Sequence, residues 1–109
     1  MANAFKNSIT GIIGTESHRV YKAPGSTTST VIGLSLANIS AAEVNANVLL
    51  IANTSFQAHL IRNAPIPVGS SLVVIGGDQK VVLEAADEMR VKSSASASLS
   101  AVVSVLEQS

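Results

Sequence analysis

Residues 76–80, GGDQK, combine glycines with charged side chains and are the first candidate for a binding site. Backbone amides at a glycine-rich bend can bind an anion, and the carboxylate of Asp78 can bind a metal ion. A phosphate-binding loop, however, has a longer glycine pattern that leads into a helix and a lysine at a fixed offset. Because Lys80 leads into a Val-rich stretch, the sequence predicts a hairpin turn between two paired strands.

Glu84, Asp87 and Glu88 form the densest acidic group. Paired carboxylates act as general acid and base, or they bind calcium. A calcium loop places oxygen ligands at alternating positions with a glycine at the bend, whereas Ala85 and Ala86 interrupt this group. The pattern therefore predicts a solvent-exposed turn.

His18 and His59 are the only histidines, and the chain contains no cysteine. No Gly-x-Ser-x-Gly nucleophile elbow occurs, and the histidines are not paired at the helical spacing of metal ligands. We interpret both as strand residues at the surface or at a subunit interface. The sequence predicts no catalytic residue, no cofactor site and no metal site, and hence a protein that is not an enzyme.

Tyr21, Phe56, Arg19 and Arg62 combine aromatic and basic side chains, as proteins that bind single-stranded nucleic acid do. Four scattered residues are too few for such a surface, and the formal net charge is zero with 13% charged residues. We therefore expect no nucleic-acid partner, and these residues are assigned to the core or to subunit contacts.

The apolar runs are only a few residues long, which is too short for a membrane span, and residues 1–18 lack the apolar core of a signal peptide. We expect a protein that is made in the cytoplasm and does not enter a membrane.

Short segments of alternating apolar and polar residues dominate the chain, as in Ile32, Leu34 and Leu36 or in Met89 and Val91. Turn residues such as Pro24-Gly25 and residues 64–71, APIPVGSS, separate them. About eight strands are predicted, at residues 16–23, 26–40, 42–53, 56–64, 71–76, 80–85, 87–93 and 98–108. A helix over residues 80–92 is the alternative, but Val81 and Val82 favour a strand.

This pattern predicts an all-β protein, a single antiparallel β-sandwich of the Ig-like or jelly-roll-like kind. Residues 15–109 form the sandwich domain, and residues 1–14, which show no sustained periodicity, form an extended, flexible N-terminal arm. Aromatic residues make up only 3% of the chain, so the core must consist of Val, Ile, Leu and Ala. The Ser, Thr and Asn residues on the outward strand faces suit neutral hydrogen bonds to neighbouring chains.

Three stretches carry a family resemblance: YKAPGSTTSTVIGLSLANIS from Tyr21, LIRNAPIPVGSSLVVIGGDQKVVLEAADEMRVKSS from Leu60, and VVSVLE from Val102. They resemble small β-sandwich structural proteins of tailed bacteriophages, especially of marine and cyanobacterial phages, over most of the chain from about Val20. In that family a leucine is usually followed by two variable residues and Gly-Asp. Here Ala86 occupies the glycine position, and alanine tolerates a positive φ poorly.

The resemblance implies a virion component without enzymatic activity, present in many copies and assembled in the host cytoplasm. The first expectation is a capsid decoration or cement protein, with a neck, collar, tail or fibre subunit as the alternative. The implied partners are further copies of the chain and other virion proteins, either the major capsid protein or neck and tail ring proteins. A carbohydrate-binding β-sandwich, using Tyr21 or Phe56, is the second alternative.

Overall fold

In the computed structural model, which describes residues 3–52, 56–76 and 80–108, the chain forms two antiparallel β-sheets packed as a sandwich. The strands are β1 (Asn3–Ile13), β2 (His18–Lys22), β3 (Thr28–Asn38), β4 (Val44–Ile51), β5 (Gln57–Ile66), β6 (Ser71–Ile75), β7 (Val81–Leu83), β8 (Glu88–Ser93) and β9 (Leu99–Gln108). Sheet A has the order β1-β9-β3-β6, with β7 also paired to β3, and sheet B has the order β2-β8-β4-β5. The predicted all-β antiparallel sandwich is confirmed, with nine strands in these residues rather than about eight.

The core lies between the sheets and is almost wholly aliphatic. Met89 and Val91 of β8 are fully buried, and the inward residues of β9 and of β4 are buried in the same alternating way, as predicted. Burial of apolar surface contributes roughly 25 cal/mol per Å² and is the main stabilising term here. The buried apolar residues of β9 and β4 are Leu99, Ala101, Val103, Val105, Val44, Ala46 and Val48.

β3 departs from the simple alternation that the sequence suggested. Leu34 and Leu36 are buried as predicted, but Ile32 is only half-buried, and Val31 occupies the core position instead. The ladder between β3 and β9 shifts register between Val31 and Gly33. This β-bulge inserts one residue and turns Ile32 away from the core.

The predicted end of β5 at residues 64–71 is also wrong, since β5 continues through Pro65 to Ile66. β5 is the edge strand of sheet B, paired only with β4. A proline, which lacks an N–H donor, is tolerated at such an edge because the missing donor need not face a neighbouring strand.

β6 and β7 do not form the predicted hairpin. Both pair antiparallel with β3, β6 along Leu34–Ala37 and β7 along Ser29–Val31, so the two strands run in the same direction on one edge of sheet A. Each buries one apolar residue, Ile75 or Leu83, against the core, and β3 supplies the partner that this burial requires. Gly77, Asp78 and Gln79 themselves lie outside the described residues.

Residues 3–13, expected as part of a flexible arm, are the eleven-residue strand β1, paired along β9 from Asn3↔Gln108 to Ile13↔Leu99. Its apolar residues Phe5, Ile9 and Ile12 are exposed, so they do not follow the period of two that burial of one strand face imposes. The helix considered for residues 80–92 is wrong, since these residues form β7, a turn and β8. The described part of the chain contains no helix able to span a bilayer.

Asn38, at the end of β3, connects the two sheets. Its side chain is buried (6% exposed), and its Nδ2 donates hydrogen bonds to the carbonyl oxygens of Ala42 (2.8 Å) and of Ile66 in β5 (2.9 Å). Its Oδ1 accepts from the Ser40 amide at 2.9 Å, and its backbone N–H donates to the Ser70 carbonyl at 2.9 Å. These bonds satisfy buried polar groups that would otherwise cost about 1–3 kcal/mol each.

We expect Asn38→Asp to lower the free energy of unfolding by about 2–4 kcal/mol at pH 7, because a carboxylate replaces the donor that faces two carbonyl oxygens. Urea unfolding measures this loss. Asn45→Asp makes the same chemical change at an exposed position of β4 and should cost less than about 0.5 kcal/mol. Equal losses of stability in the two variants would show that the hydrogen bonds of the Asn38 side chain are not the cause.

The turn before β8 holds Ala86 in a strained conformation. The Asp87 amide donates to the Glu84 carbonyl at 3.0 Å, and the Glu84 amide donates to Asp87 Oδ2 at 3.0 Å. Ala86, the third residue of this turn, has φ of 69°, in the left-handed region where glycine is favoured. The alanine at position 86 therefore occupies a position where the backbone has a positive φ.

Ala86→Gly should raise the free energy of unfolding by about 1 kcal/mol, because an L-residue other than glycine pays roughly 1–2 kcal/mol in this region. Ala85→Gly in the same turn is the matched control. Its φ is not positive, so it should lower stability by about 0.5 kcal/mol through unfolded-chain entropy. The same sign of change in both variants would argue against strain at Ala86.

Candidate functional site

The two sheets carry opposite surface chemistry. Seven residues of the chain are Lys or Arg, and five of them lie in the strands of sheet B, together with Glu88 as the one carboxylate of those strands. The strands of sheet A carry only Lys6 and Glu107, which form an ion pair at 2.9 Å. The five cationic residues of sheet B are Arg19, Lys22, Arg62, Arg90 and Lys92.

A groove of about 880 Å³ follows the outer face of sheet B. Leu49 and Ile51 of β4 line it, because they alternate with the inward residues of this strand. Residues directly opposite on antiparallel strands share a face, so the register assigns the side chains to rows. The rows are Arg19-Arg90-Leu49-His59, Lys22-Glu88-Ile51-Gln57 and Lys92-Asn47.

Within the described residues, Arg90 contacts more of the surrounding polar and charged groups than the other cations of this groove do. It lies directly opposite Arg19, and like charges in this position are destabilising. Its Nε donates to Glu88 Oε1, two residues earlier on β8, and its Nη1 donates to the Ser17 carbonyl oxygen at 3.3 Å. Glu88 therefore orients Arg90 and offsets one of the positive charges.

The bulged pairing of β4 with β5 brings Arg62 to the groove. The register shifts between Ala46 and Val48 and again between Val48 and Leu49. The Asn47 side chain accepts a hydrogen bond from the Asn63 amide at 3.0 Å, and Asn63 itself has φ of 52°. An asparagine tolerates this conformation better than most residues, and the bend orients the side chains of the edge strand toward the groove.

The outer face of sheet A is mostly apolar, and the side chains of its rows carry no charge. Two rows of side chains cross four strands, and the row between them contains Asn7 and Ser104, whose side chains are joined by a 2.8 Å hydrogen bond. The exposed fractions are 76% for Phe5, 75% for Ile9, 65% for Val73 and 59% for Val82. The two apolar rows are Ile9-Val102-Ser35-Val73 and Phe5-Leu106-Thr30-Val82.

Tyr21 links the sheets at one side of the sandwich. Its hydroxyl donates to Glu107 Oε2 at 2.5 Å and lies 2.7 Å from Ser29 Oγ. Burial, and then the hydrogen bond to Glu107, raise the pKa of Tyr21 to about 12. The hydrogen bonds from Tyr21 and from Lys6 lower the pKa of Glu107. The phenol therefore stays protonated at neutral pH, and the cluster forms a polar link between the two sheets.

The residues singled out in the sequence are only partly brought together. His59 and Arg62 line the groove, and Arg19 lies at its side opposite Arg90. His18 is exposed on β2, Tyr21 bonds across the sheets, and Phe56 is 78% exposed in a smaller depression beside the groove. Sequence reasoning missed Lys22, Arg90 and Lys92, although residues 88, 90 and 92 alternate as outward strand positions.

The acidic residues considered as metal ligands are separated by the fold. Glu84 and Asp87 lie in the turn before β8, whereas Glu88 is oriented toward Arg90 in the groove. Asp78 lies outside the described residues. In the ranges that the structure describes, no three His, Asp or Glu side chains cluster as metal ligands would.

Sequence comparisons with known proteins assign no family to the chain. No protein-family model matches it, and no curated protein matches its sequence.

We expect Tyr21→Phe to lower the free energy of unfolding by about 1–3 kcal/mol at pH 7, because it removes a hydrogen bond to a carboxylate. The pKa of Glu107 is lower in the folded state than its ordinary 4.5. The bond therefore stabilises the fold above pH 4.5 and its contribution is lost as the pH falls through the folded-state pKa. Urea unfolding at several pH values should show the difference between wild type and Tyr21→Phe shrinking in acid.

Glu107→Gln is the control for that titration, since it keeps a hydrogen-bond acceptor but removes the ionisable group. In this background the effect of Tyr21→Phe should not change between pH 7 and pH 3. A Tyr21→Phe effect in the wild-type background that is equally large at pH 3 and pH 7 would exclude the carboxylate as its cause.

Proposed function

We propose that the protein is a non-enzymatic structural subunit of a bacteriophage virion, first of all a capsid decoration protein, and that the outer face of sheet A docks onto neighbouring virion proteins. The family resemblance of the sequence motivates the virion assignment. The structural observation that supports it is the exposed apolar surface of β1, β9, β3, β6 and β7.

This surface is too apolar for a strand face that stays in water. Phe5 and Ile9 of β1 are about three-quarters exposed, and Val73 and Val82 extend the same rows to the far edge of the sheet. Contiguous exposed apolar patches on monomeric proteins are uncommon and mark interaction sites. Covering the patch by a partner would contribute roughly 25 cal/mol per Å² of buried area.

The polar groups of the patch suit a permanent contact. Asn7 and Ser104 satisfy each other at 2.8 Å between the two apolar rows. Lys6 and Glu107, the charged residues of these strands, neutralise each other at 2.9 Å. A partner that covers this face therefore buries no unpaired charge of this chain, which removes the main penalty of desolvation.

Docking cannot be tested by deleting the N-terminal residues, because β1 is part of the sandwich. Ile13 at its end is buried in the core, and β1 covers one edge of β9 along nearly its whole length. Deleting residues 1–14 would therefore damage the sandwich as well as any contact surface. Single outward substitutions on β1 and β9 separate the two effects.

We expect the double variant Ile9→Ser, Val102→Ser to remain folded and to lose binding to particles assembled without this protein. Ile9 and Val102 are directly opposite each other on the outer face, so the change removes apolar contact area at one place. Co-sedimentation with the particles measures binding, and urea unfolding verifies the fold.

Val68→Ser is the matched control, since Val68 is an exposed apolar residue between β5 and β6 and belongs to neither apolar row. It should bind particles like the wild type. If the double variant also bound like the wild type, sheet A would not be the docking face. Microscopy of the bound particles then distinguishes capsid from neck, tail or fibre positions.

A further inference from the structure

The groove on sheet B concentrates charge that folding does not require. The strands of sheet B carry five cationic side chains and one carboxylate, and all of these except Arg19 line the groove, although the whole chain has zero net charge. Within the described residues, only Arg90 among the five has a carboxylate partner, Glu88. Such an arrangement raises the positive potential of a concave surface and attracts anions.

The pairing of Arg19 with Arg90 also indicates an anion-binding site. The two residues lie directly opposite each other on β2 and β8, where like charges reduce stability. An anionic group bound beside the two guanidinium groups would offset that repulsion, because guanidinium groups donate charge-assisted hydrogen bonds to carboxylates and sulfates.

The spacing of the cations fits an extended ligand. Residues 88, 90 and 92 alternate along β8, so their rows are about 6.8 Å apart. Lys22 lies in the first row, Arg19 and Arg90 in the second and Lys92 in the third. The positive charges therefore extend over about 14 Å along the strands, which is longer than a single small anion.

The remaining lining of the groove distinguishes among polyanions. Asn47, Gln57 and Asn63 offer amides that both donate and accept hydrogen bonds, which matches sugar hydroxyl groups. Leu49 and Ile51 offer an apolar floor to the C–H faces of sugar rings. The described residues that line the groove include no Phe, Tyr or Trp, and His59 is the one aromatic ring among them, so the groove lacks the series of stacking platforms on which single-stranded nucleic acid is bound.

We propose that this groove binds an extended anionic polysaccharide, whose carboxylate or sulfate groups pair with the cations that line it, with Arg19 contributing beside Arg90. The lining cations are Lys22, Arg62, Arg90 and Lys92. Tyr21 does not take part, because its hydroxyl is bonded to Glu107 across the sheets. The site is independent of the proposed docking surface, since it occupies the outer face of the other sheet.

The test is calorimetry with the full chain at 50 mM NaCl, using polygalacturonate as the carboxylated probe and heparin as the sulfated probe. Neutral dextran, polyglutamate and a single-stranded oligothymidylate are the comparison ligands. We expect saturable binding of at least one anionic polysaccharide, no binding of dextran, and weaker binding of the other two polyanions. The preferred probe identifies the acidic group that the groove recognises.

The variant Arg62→Gln, Lys92→Gln should weaken polysaccharide binding about tenfold or more, since it removes two charge-assisted contacts. Arg62→Lys, Lys92→Arg should restore most of the affinity, and Lys80→Gln, next to β7 on sheet A, should leave it unchanged. Gln57→Ala should weaken polysaccharide binding while leaving polyglutamate binding unchanged.

Three results would overturn the inference. The first is that neither polysaccharide binds. The second is that the variant Arg62→Gln, Lys92→Gln binds like the wild type while urea unfolding shows that it is folded. Equal affinity for polyglutamate, oligothymidylate and the polysaccharides would reduce the groove to a general electrostatic surface. None of these results depends on whether sheet A docks onto a particle, so the two proposals fail separately.

Discussion

The hydrogen-bonded ladder of β3 is the constraint on which the other strands depend. β9 pairs along one side of it over ten residues, while β6 and β7 share the other side. At the end of the ladder, the amide of Asn38 reaches β5 in the second sheet. One strand therefore pairs with three others in sheet A, and its last residue, Asn38, hydrogen-bonds to β5 in sheet B. This bond fixes the position of β5, the strand that borders the groove, relative to sheet A.

This arrangement leaves each sheet one inner and one outer face, and the chain uses them differently. The inner faces share one core, so both sheets have aliphatic residues at their inward positions. The outer faces are free of that constraint, and one is apolar while the other is basic. The polar contacts between the sheets, Asn38 at one place and Tyr21 with Glu107 at another, keep charge out of the core.

Alternation in the sequence was enough to predict the sandwich and the inward residues of β4, β8 and β9, because burial of one face imposes a period of two. It failed at Ile32, where a bulge inserts one residue, and at β1, whose apolar side chains face outward. It could not predict that β6 and β7 both pair with β3, since local pattern carries no information on the partner strand. The groove was not predicted because the net charge of the chain is zero. Only the strand register shows that the cationic residues gather on one sheet.

The opposition of the two outer faces has a consequence for many copies together. Subunits that dock through the outer face of sheet A would all present sheet B in the same direction, away from the surface that holds them. A long polymer that meets one groove would then find the next at high effective concentration, so weak single contacts would combine into strong avidity. An assembled array would therefore retain a polysaccharide that an isolated subunit releases quickly.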